Sequence, residues 1–314
     1  MDKIEKGAGD KNLMNIYKFN IPFINHYKKF YTLSIILISI SIFSLFSKGL
    51  NLGIDFKGGT IIEMQFNQNL TSDKIRASLL KQNLGDIKVK EFGNKKTYLS
   101  ILEKKSGKSN FISTIKNELE KDLNQSINFR RVEMVGPKIS KELTEAGVYA
   151  VFISLILMLF YIWLRFEWQF SLGAILALSH DVILTLGAFS IIGFEFNLSI
   201  IAAVLTIVGY SMNDTVVIYD RIRENLKKND SEDLSKLINL SVNETLPRTL
   251  KTSITTLLAL TAIYFFGGEI LRGFSFALIW GVIIGTYSSI FIASPLILIL
   301  NVKRNWNEVI DNTP

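Results

Sequence analysis

The chain alternates long apolar runs with short polar stretches. Six of these runs reach the length of about 20 residues that a helix needs to cross a bilayer. The pattern therefore predicts a polytopic α-helical membrane protein with six transmembrane helices. The predicted spans are residues 30–48, 146–164, 170–192, 198–219, 249–266 and 274–300.

Residues 49–145, between the first two spans, have the pattern of a separate α+β domain. Strands are predicted at 60–66, 87–92, 97–102 and 127–135, and helices at 71–82 and 110–124, in the order βαββαβ. This order is typical of a ferredoxin-like split βαβ sandwich. A generic α+β spacer would show the same pattern, so the fold alone does not indicate a function.

Lysine and arginine in the short loops predict the orientation, because cytoplasmic loops are enriched in these residues. We expect both termini in the cytoplasm and the domain at 49–145 outside, since long translocated domains escape this rule. The expected organisation is a cytoplasmic arm at 1–29, a retained anchor at 30–48, the outside domain, spans within 146–300 and a cytoplasmic tail at 301–314. The basic residues concerned are Lys3, Lys6, Lys11, Lys18, Lys28, Lys29, Arg221, Arg223, Lys227, Lys228, Lys236, Arg248, Lys303 and Arg304.

Composition narrows the class of protein further. The chain has 0 cysteines and 2 histidines, which rules out disulfides and thiolate metal sites, and His26 and His180 lie too far apart to indicate a metal site. No enzyme signature or cofactor motif is present. The sequence pI of about 9.3 points to an anionic membrane surface and not to nucleic acid, because the basic residues lie beside the apolar runs.

The fourth span carries the pair Asn213-Asp214 within its second half. An aspartate in the hydrocarbon centre costs about 2.5 to 3.5 kcal/mol on insertion scales, so such a residue usually faces a protein interior or a water-filled path. Asp214 is therefore a candidate functional residue. The alternatives are a shallow position near the cytoplasmic headgroups and a structural pair with a buried donor.

Two other spans hold candidate residues. His180-Asp181 lies midway along the third span, where a buried charge needs a partner or a proton, and a structural hydrogen bond between helices is the alternative. Arg248 lies at the cytoplasmic start of the fifth span, where it can either extend outward or turn toward Asp214. Two small-residue stripes are more typical of helix packing. They comprise Thr249, Thr252, Ser253 and Thr256, and Gly281, Gly285 and Ser289.

Two short motifs flank the outside domain. GIDFKGG at 53–59 follows the first span, and VGPKIS at 135–140 precedes the second. Taken alone, each predicts only a tight turn, because glycine and proline favour backbone angles that end regular structure.

Together these features resemble the SecF family, subunits of the SecDF accessory complex of the bacterial protein-export translocase within the RND superfamily. The resemblance rests on GIDFKGG at 53–59, VGP at 135–137, ALSHD at 177–181, GYSMNDTVVIYDRIREN at 209–225 and RTLKTSITTLL at 248–258. It also rests on FGGEILRGFSFAL and GVIIGTYSSIFIASP. The motif residues are Gly53, Asp55, Phe56, Gly58, Gly59, Gly136 and Pro137.

The resemblance implies a multi-pass protein of the bacterial cytoplasmic (inner) membrane that pairs with SecD and uses the proton gradient in late steps of polypeptide export. It implies that Asp214 and Arg248 act in proton passage, with Asn213, His180 and Asp181 as further candidates. Implied partners are SecD, the SecYEG translocon, YajC, a YidC-type insertase and the exported polypeptide. A purely structural subunit that stabilises SecD and the translocon, or an RND-type exporter of small molecules, is the alternative.

Overall fold

The computed structural model describes residues 20–82, 84–85, 87–91, 97–102, 111–228 and 232–302. Within these residues six helices are long and apolar enough to cross a membrane, which confirms the prediction of six spans. The spans are α1 (Tyr27–Ser47), α5 (Pro137–Arg165), α6 (Trp168–Ile192), α7 (Leu198–Lys228), α8 (Leu234–Phe266) and α9 (Glu269–Ser288) continuing into α10 (Ser294–Ile299).

Three of the helices extend well beyond the predicted spans. Helix α5 begins at Pro137, so the VGP motif starts a helix, with Gly136 as the extended N-cap residue and Pro137 in the first turn, where its missing N–H costs nothing. Helix α7 runs on to Lys228 and α8 begins at Leu234. Apolarity marks the thickness of the bilayer and not the ends of a helix, which is why the predicted boundaries fall short.

Both intramembrane prolines of the last two spans lie within helical structure. Pro247 lies inside α8, although the sequence had placed the start of the fifth span at residue 249. Pro295 lies in the first turn of α10, directly after a π-helical segment at Ser289–Ala293. Two tyrosine hydroxyls donate to carbonyls of this segment, Tyr31 to Ile292 O (2.8 Å) and Tyr219 to Ala293 O (3.2 Å). Such side-chain donors are how membrane proteins satisfy irregular helical backbone.

The bundle has buried and peripheral helices. Helices α6, α7 and α9–α10 are mostly buried within the chain, whereas α1, α5 and α8 leave most of their apolar side chains exposed. Small residues let the central helices approach closely: a Cβ on Gly281 would fall 2.2 Å from an Ile207 side-chain atom, and one on Gly187 would fall 2.2 Å from Ser41.

The α+β domain between the first two spans has one four-stranded antiparallel sheet. Its strands are β2 (Gly59–Phe66), β3 (Ile87–Glu91), β4 (Thr97–Leu102) and β5 (Ile127–Val135), in the order β3-β4-β2-β5. Helices α3 (Ser72–Leu80) and α4 (Phe111–Leu123) share a core with the sheet. Strand β4 lies between β2 and β3, and β2 lies between β4 and β5, which is the split βαβ topology.

A second, two-stranded sheet lies where this domain meets the bundle. Strand β1 (Asn51–Leu52) pairs in parallel with β6 (Glu195–Phe196), the connection between α6 and α7. The short helix α2 (Ile54–Lys57) follows β1 and packs against α5. At the opposite end of the bundle, Phe23, Ile24 and Val302 share one apolar core with Leu226 and Leu234. The described chain therefore begins and ends on the same side.

Candidate functional site

Asp181 lies at the centre of a polar cluster that joins three helices. It is 1% exposed, and its Oδ2 accepts hydrogen bonds from Ser211 Oγ of α7 (2.6 Å) and Ser288 Oγ of α9 (2.8 Å). His180 Nδ1 lies 2.9 Å from the other oxygen, Oδ1. This carboxyl group therefore has hydrogen-bond partners on both oxygens, and it ties α6 to both neighbouring helices.

His180 completes this cluster on the side of α1. Its ring stacks on Tyr287, with ring centroids 6.0 Å apart and an interplanar angle of 27°, and the Tyr287 hydroxyl donates to Phe30 O at 2.9 Å. The second ring nitrogen, Nε2, is buried without a hydrogen-bond partner in the described chain.

Asp214 is buried in a different way. It is 3% exposed, and its Oδ2 is buried with no hydrogen-bond partner among the described residues. Ser211, which bonds Asp181, lies one turn before it on α7. A buried carboxylate without donors is costly when ionised, which distinguishes the environment of Asp214 from that of Asp181.

The other residues predicted to act with Asp214 lie away from it. Asn213 is exposed on the outer face of α7, because successive residues of a helix point about 100° apart, so the adjacent pair in the sequence faces two different environments. Arg248 is also exposed. It forms no ion pair within 4.0 Å with any carboxylate in the part of the chain that the structure describes.

Hydroxyl groups extend from this region along α7 and the π-helical segment. Thr215 Oγ1 and Ser289 Oγ are 2.8 Å apart, and Ser289 Oγ lies 3.3 Å from the carbonyl oxygen of Ser211. A Cβ on Gly285 would lie 2.9 Å from Ser211 Cβ, so the small residue there allows the close contact. π-Helical segments often mark functional sites in helices, and this one presents Ser289 to α7.

Two of the four hydroxyls in the stripe of the fifth span bond a neighbouring helix. Ser253 Oγ lies 2.8 Å from Thr286 Oγ1, Thr256 Oγ1 accepts from the Tyr210 hydroxyl at 3.5 Å, and Thr252 bonds the backbone of its own helix. Thr249 differs, since its buried Oγ1 has no partner in the described chain.

The motif residues before the α+β domain form a tertiary contact and not a simple exit turn. Gly53 N donates to Phe196 O at 2.9 Å, Asp55 Oδ2 accepts from the backbone N–H of Leu198 at 2.8 Å, and Phe56 packs on Phe196 with centroids 5.7 Å apart. Gly58 and Gly59 have positive φ angles of 74° and 133°, which only glycine adopts without strain. The loop that they end therefore fixes the start of α7.

Sequence reasoning missed Ser211 and Ser288, the two donors to Asp181. Serine is common in membrane helices, and only its spacing could have indicated a role: Ser211 lies three residues before Asp214, and Ser288 lies three residues after Gly285. Within the described residues, no group of three or more His, Asp and Glu side chains could hold a metal ion.

Comparison with known proteins bears directly on this arrangement. The family model described as protein export membrane protein SecD/SecF, C-terminal, matches residues 115–303, and the SecD/SecF GG motif matches residues 43–69. The SecF protein translocase subunit of Rickettsia rickettsii is 46% identical over 93% of this chain and 95% of its own length. That of Desulfurispirillum indicum is 41% identical over 91% and 93%.

Solved structures show the same fold. The crystal structure of SecDF, a translocon-associated membrane protein from Thermus thermophilus, matches 91% of this chain with a TM-score of 0.83 and 34% identity. SecDF in its super-membrane-facing form matches 90% with a TM-score of 0.68 and 35% identity. In both cases this chain spans 39% of the solved chain. The chain belongs to the SecF family of protein translocase subunits.

Proposed function

We propose that this chain couples proton flow to the late steps of polypeptide export and has no catalytic activity or bound cofactor of its own. The observation that carries the proposal is Asp214, a buried carboxylate in a membrane span with no hydrogen-bond partner in the described chain. An intramembrane acid of this kind is suited to alternate between a charged and a neutral form.

The available energy is adequate for such a role. One proton crossing a potential of about 150 mV releases roughly 3.5 kcal/mol. Moving a two-state equilibrium from 1:99 to 99:1 takes about 5.5 kcal/mol. One proton would therefore bias a movement of the outside domain, and two would complete it.

We infer that SecD is the partner in the membrane. An exposed face of α7, formed by Ala202, Thr206, Gly209 and Asn213, consists of small and polar residues, which suit a protein partner better than lipid. The Asn213 side chain forms no hydrogen bond within the described chain, and lipid could not supply one. The solved SecDF chains are long enough to include a second subunit beside the part that this chain matches.

The proposed location is the bacterial inner membrane, with both termini in the cytoplasm and the ferredoxin-like domain outside. The six spans and the shared core of Phe23, Ile24 and Val302 support termini on one side. The basic residues of the α7–α8 connection support the cytoplasm as that side. The SecYEG translocon, YajC, a YidC-type insertase and the exported polypeptide are proposed as further partners.

The test is gradient-driven export by reconstituted complexes that carry Asp214→Asn. This substitution keeps the shape of the side chain and removes its titration, so we expect normal insertion and pairing with SecD but loss of the stimulation by the proton gradient. Asp233→Asn, an exposed carboxylate just before α8, is the matched control. Normal gradient-driven export by Asp214→Asn would remove Asp214 from the mechanism, and loss of pairing with SecD would favour a structural role.

A further inference from the structure

The motif at 53–59 is joined firmly to the middle of the outside domain. It leads directly into β2, which pairs with β4 on one side and β5 on the other. A Cβ on Gly59 would lie 2.6 Å from the backbone oxygen of Leu102 in β4, so no larger residue fits there without moving the sheet. Movement of the loop is therefore transmitted to the central strand.

The other end of the motif is joined to the membrane bundle. Strand β1 pairs with β6, and Gly53 N and the Phe56 ring both contact Phe196, the last residue of β6. Helix α2, which contains Asp55, also packs against α5. The loop thus contacts α5 and the connection that leads into α7, near the outer end of the bundle.

The most specific contact is made by Asp55. Its Oδ2 accepts from the backbone N–H of Leu198, the first residue of α7, at 2.8 Å. Asn197 Oδ1 accepts from the backbone N–H of Ile200 at 3.3 Å, so Asp55 and Asn197 both cap the same end of α7. A carboxylate at a helix N-terminus is stabilised by the helix dipole. Asp55 therefore holds α7 by a charged cap that comes from a different part of the fold.

Helix α7 links this cap to the proton site. Asp214 lies 16 residues after Leu198, about 24 Å along the helix at 1.5 Å per residue. A helix of this length moves largely as one body, so a shift of α7 at Asp214 also displaces its outer end. The capped end is where the motif loop would receive that displacement.

We propose that the loop at 53–59 couples α7 to the outside domain, and that Asp55 is the positioning residue that makes this coupling tight. The inference rests on the proposed role of Asp214 for its energy source, but the mechanical link stands on the contacts of the loop. In the described chain, Asp55 forms no hydrogen bond with any candidate proton carrier. Its effect passes through the position of α7.

The first measurement follows the link itself. The chain has 0 cysteines, so spin labels can be placed at Lys121, exposed on α4, and at Ser199, exposed in the first turn of α7. In the SecD complex in lipid nanodiscs, we expect a narrow distance distribution that broadens in Asp55→Ala. Asp55→Asn, which still offers an acceptor oxygen, should fall between the two, and the exposed Asp73→Asn is the matched control. Unchanged distances in Asp55→Ala would overturn the proposal.

The second measurement separates coupling from proton passage. In proteoliposomes, Asp55→Ala should conduct protons at close to the wild-type rate, while gradient-stimulated export falls about tenfold, within the usual range of coupling between sites. Export at the wild-type rate by Asp55→Ala would overturn the inference. It would also be overturned if neither Asp55→Ala nor Asp55→Asn protein accumulated in the membrane, because that result would show a role in folding only. If the wild-type complex shows no gradient-stimulated export, the proposed function fails, while the distance measurement still tests the link.

Discussion

Two carboxylates lie close together in the membrane core and are buried in opposite ways. Asp181 accepts hydrogen bonds from two serine hydroxyls and contacts His180. Asp214, one turn from Ser211, has a buried oxygen without a hydrogen-bond partner in the described chain. A carboxylate that accepts several hydrogen bonds holds its donors in place, whereas one without donors places no such restraint on its neighbours. The comparison indicates that Asp181 fixes the three central helices, and it fits the proposed role of Asp214 as the carboxylate that takes up and releases a proton.

The largest expected effect is the difference in stability between Asp181→Ala and Asp214→Ala, the variants that remove these two carboxylates. Asp181→Ala removes the hydrogen-bond partner of two hydroxyls and one imidazole. Each such bond is worth about 0.6 kcal/mol between membrane helices. In a soluble protein, a hydrogen bond to a charged group is worth up to about 3 kcal/mol. We expect a loss of about 2 to 4 kcal/mol in the free energy of unfolding. Asp214→Ala breaks no hydrogen bond and removes a poorly solvated carboxylate, so its stability should be unchanged or higher.

Unfolding of the purified variants in detergent micelles measures this difference. Ser211→Ala removes only one of the three donors to Asp181, and it should lose about 0.6 to 1.7 kcal/mol. Thr206→Ala, an exposed hydroxyl bonded only to its own helix, is the control on α7. Equal losses in Asp181→Ala and Asp214→Ala would contradict the distinction drawn here.

The sequence predicted these two acids but not the difference between them. Hydropathy located both carboxylates in spans, because an acid in an apolar run is visible without any tertiary information. Which donors reach an acid depends on how α6, α7 and α9 are rotated against one another. That rotation follows from small residues such as Gly281 and Gly285, whose contacts appear only in the packed bundle.

The same limits apply to Arg248 and to the motif loops. Similar depth in neighbouring spans left two possibilities for Arg248, extension outward or a turn toward Asp214, and in the described chain Arg248 is exposed without an ion pair. For GIDFKGG, glycine content predicted a turn, and positive φ angles do occur at Gly58 and Gly59. The contact of Asp55 with α7 joins residues 143 positions apart, and no local pattern reports such a distance.

A third acid extends the comparison to the junction with the outside domain. Burial raises the pKa of Glu195 above its usual value of 4.5; Lys90 and Lys88 lower the pKa, and Asp55 raises it further. Because the pKa is higher in the packed junction than in an opened one, the neutral form stabilises the packing at low pH. This stabilisation is lost as the pH rises through the raised pKa.

The expected result is a pH-dependent distance between labels at Lys121 and Ser199. The distribution should be narrow near pH 4 and broader near about pH 8, by less than the change in Asp55→Ala, since Glu195 is only half-buried and solvent screens its interactions. Glu195→Gln should give the narrow distribution at both pH values. An unchanged pH response in Glu195→Gln would assign the effect to another group.

The smallest expected effect on stability comes from the residue next to Asp214. Asn213 is exposed and forms no hydrogen bond within the described chain, so Asn213→Leu should change the free energy of unfolding of this chain by no more than about 0.5 kcal/mol, as is usual for surface substitutions.

If the exposed face of α7 is covered by SecD, the same substitution should weaken pairing, because the amide loses its partner across the interface. Co-purification with SecD at increasing detergent concentration measures that pairing, with Ile254→Leu, at an exposed apolar position of α8, as the control. Pairing as strong as wild type in Asn213→Leu would place the partner on another face of the bundle, and a large loss of stability in the isolated chain would show that Asn213 is buried like its neighbour.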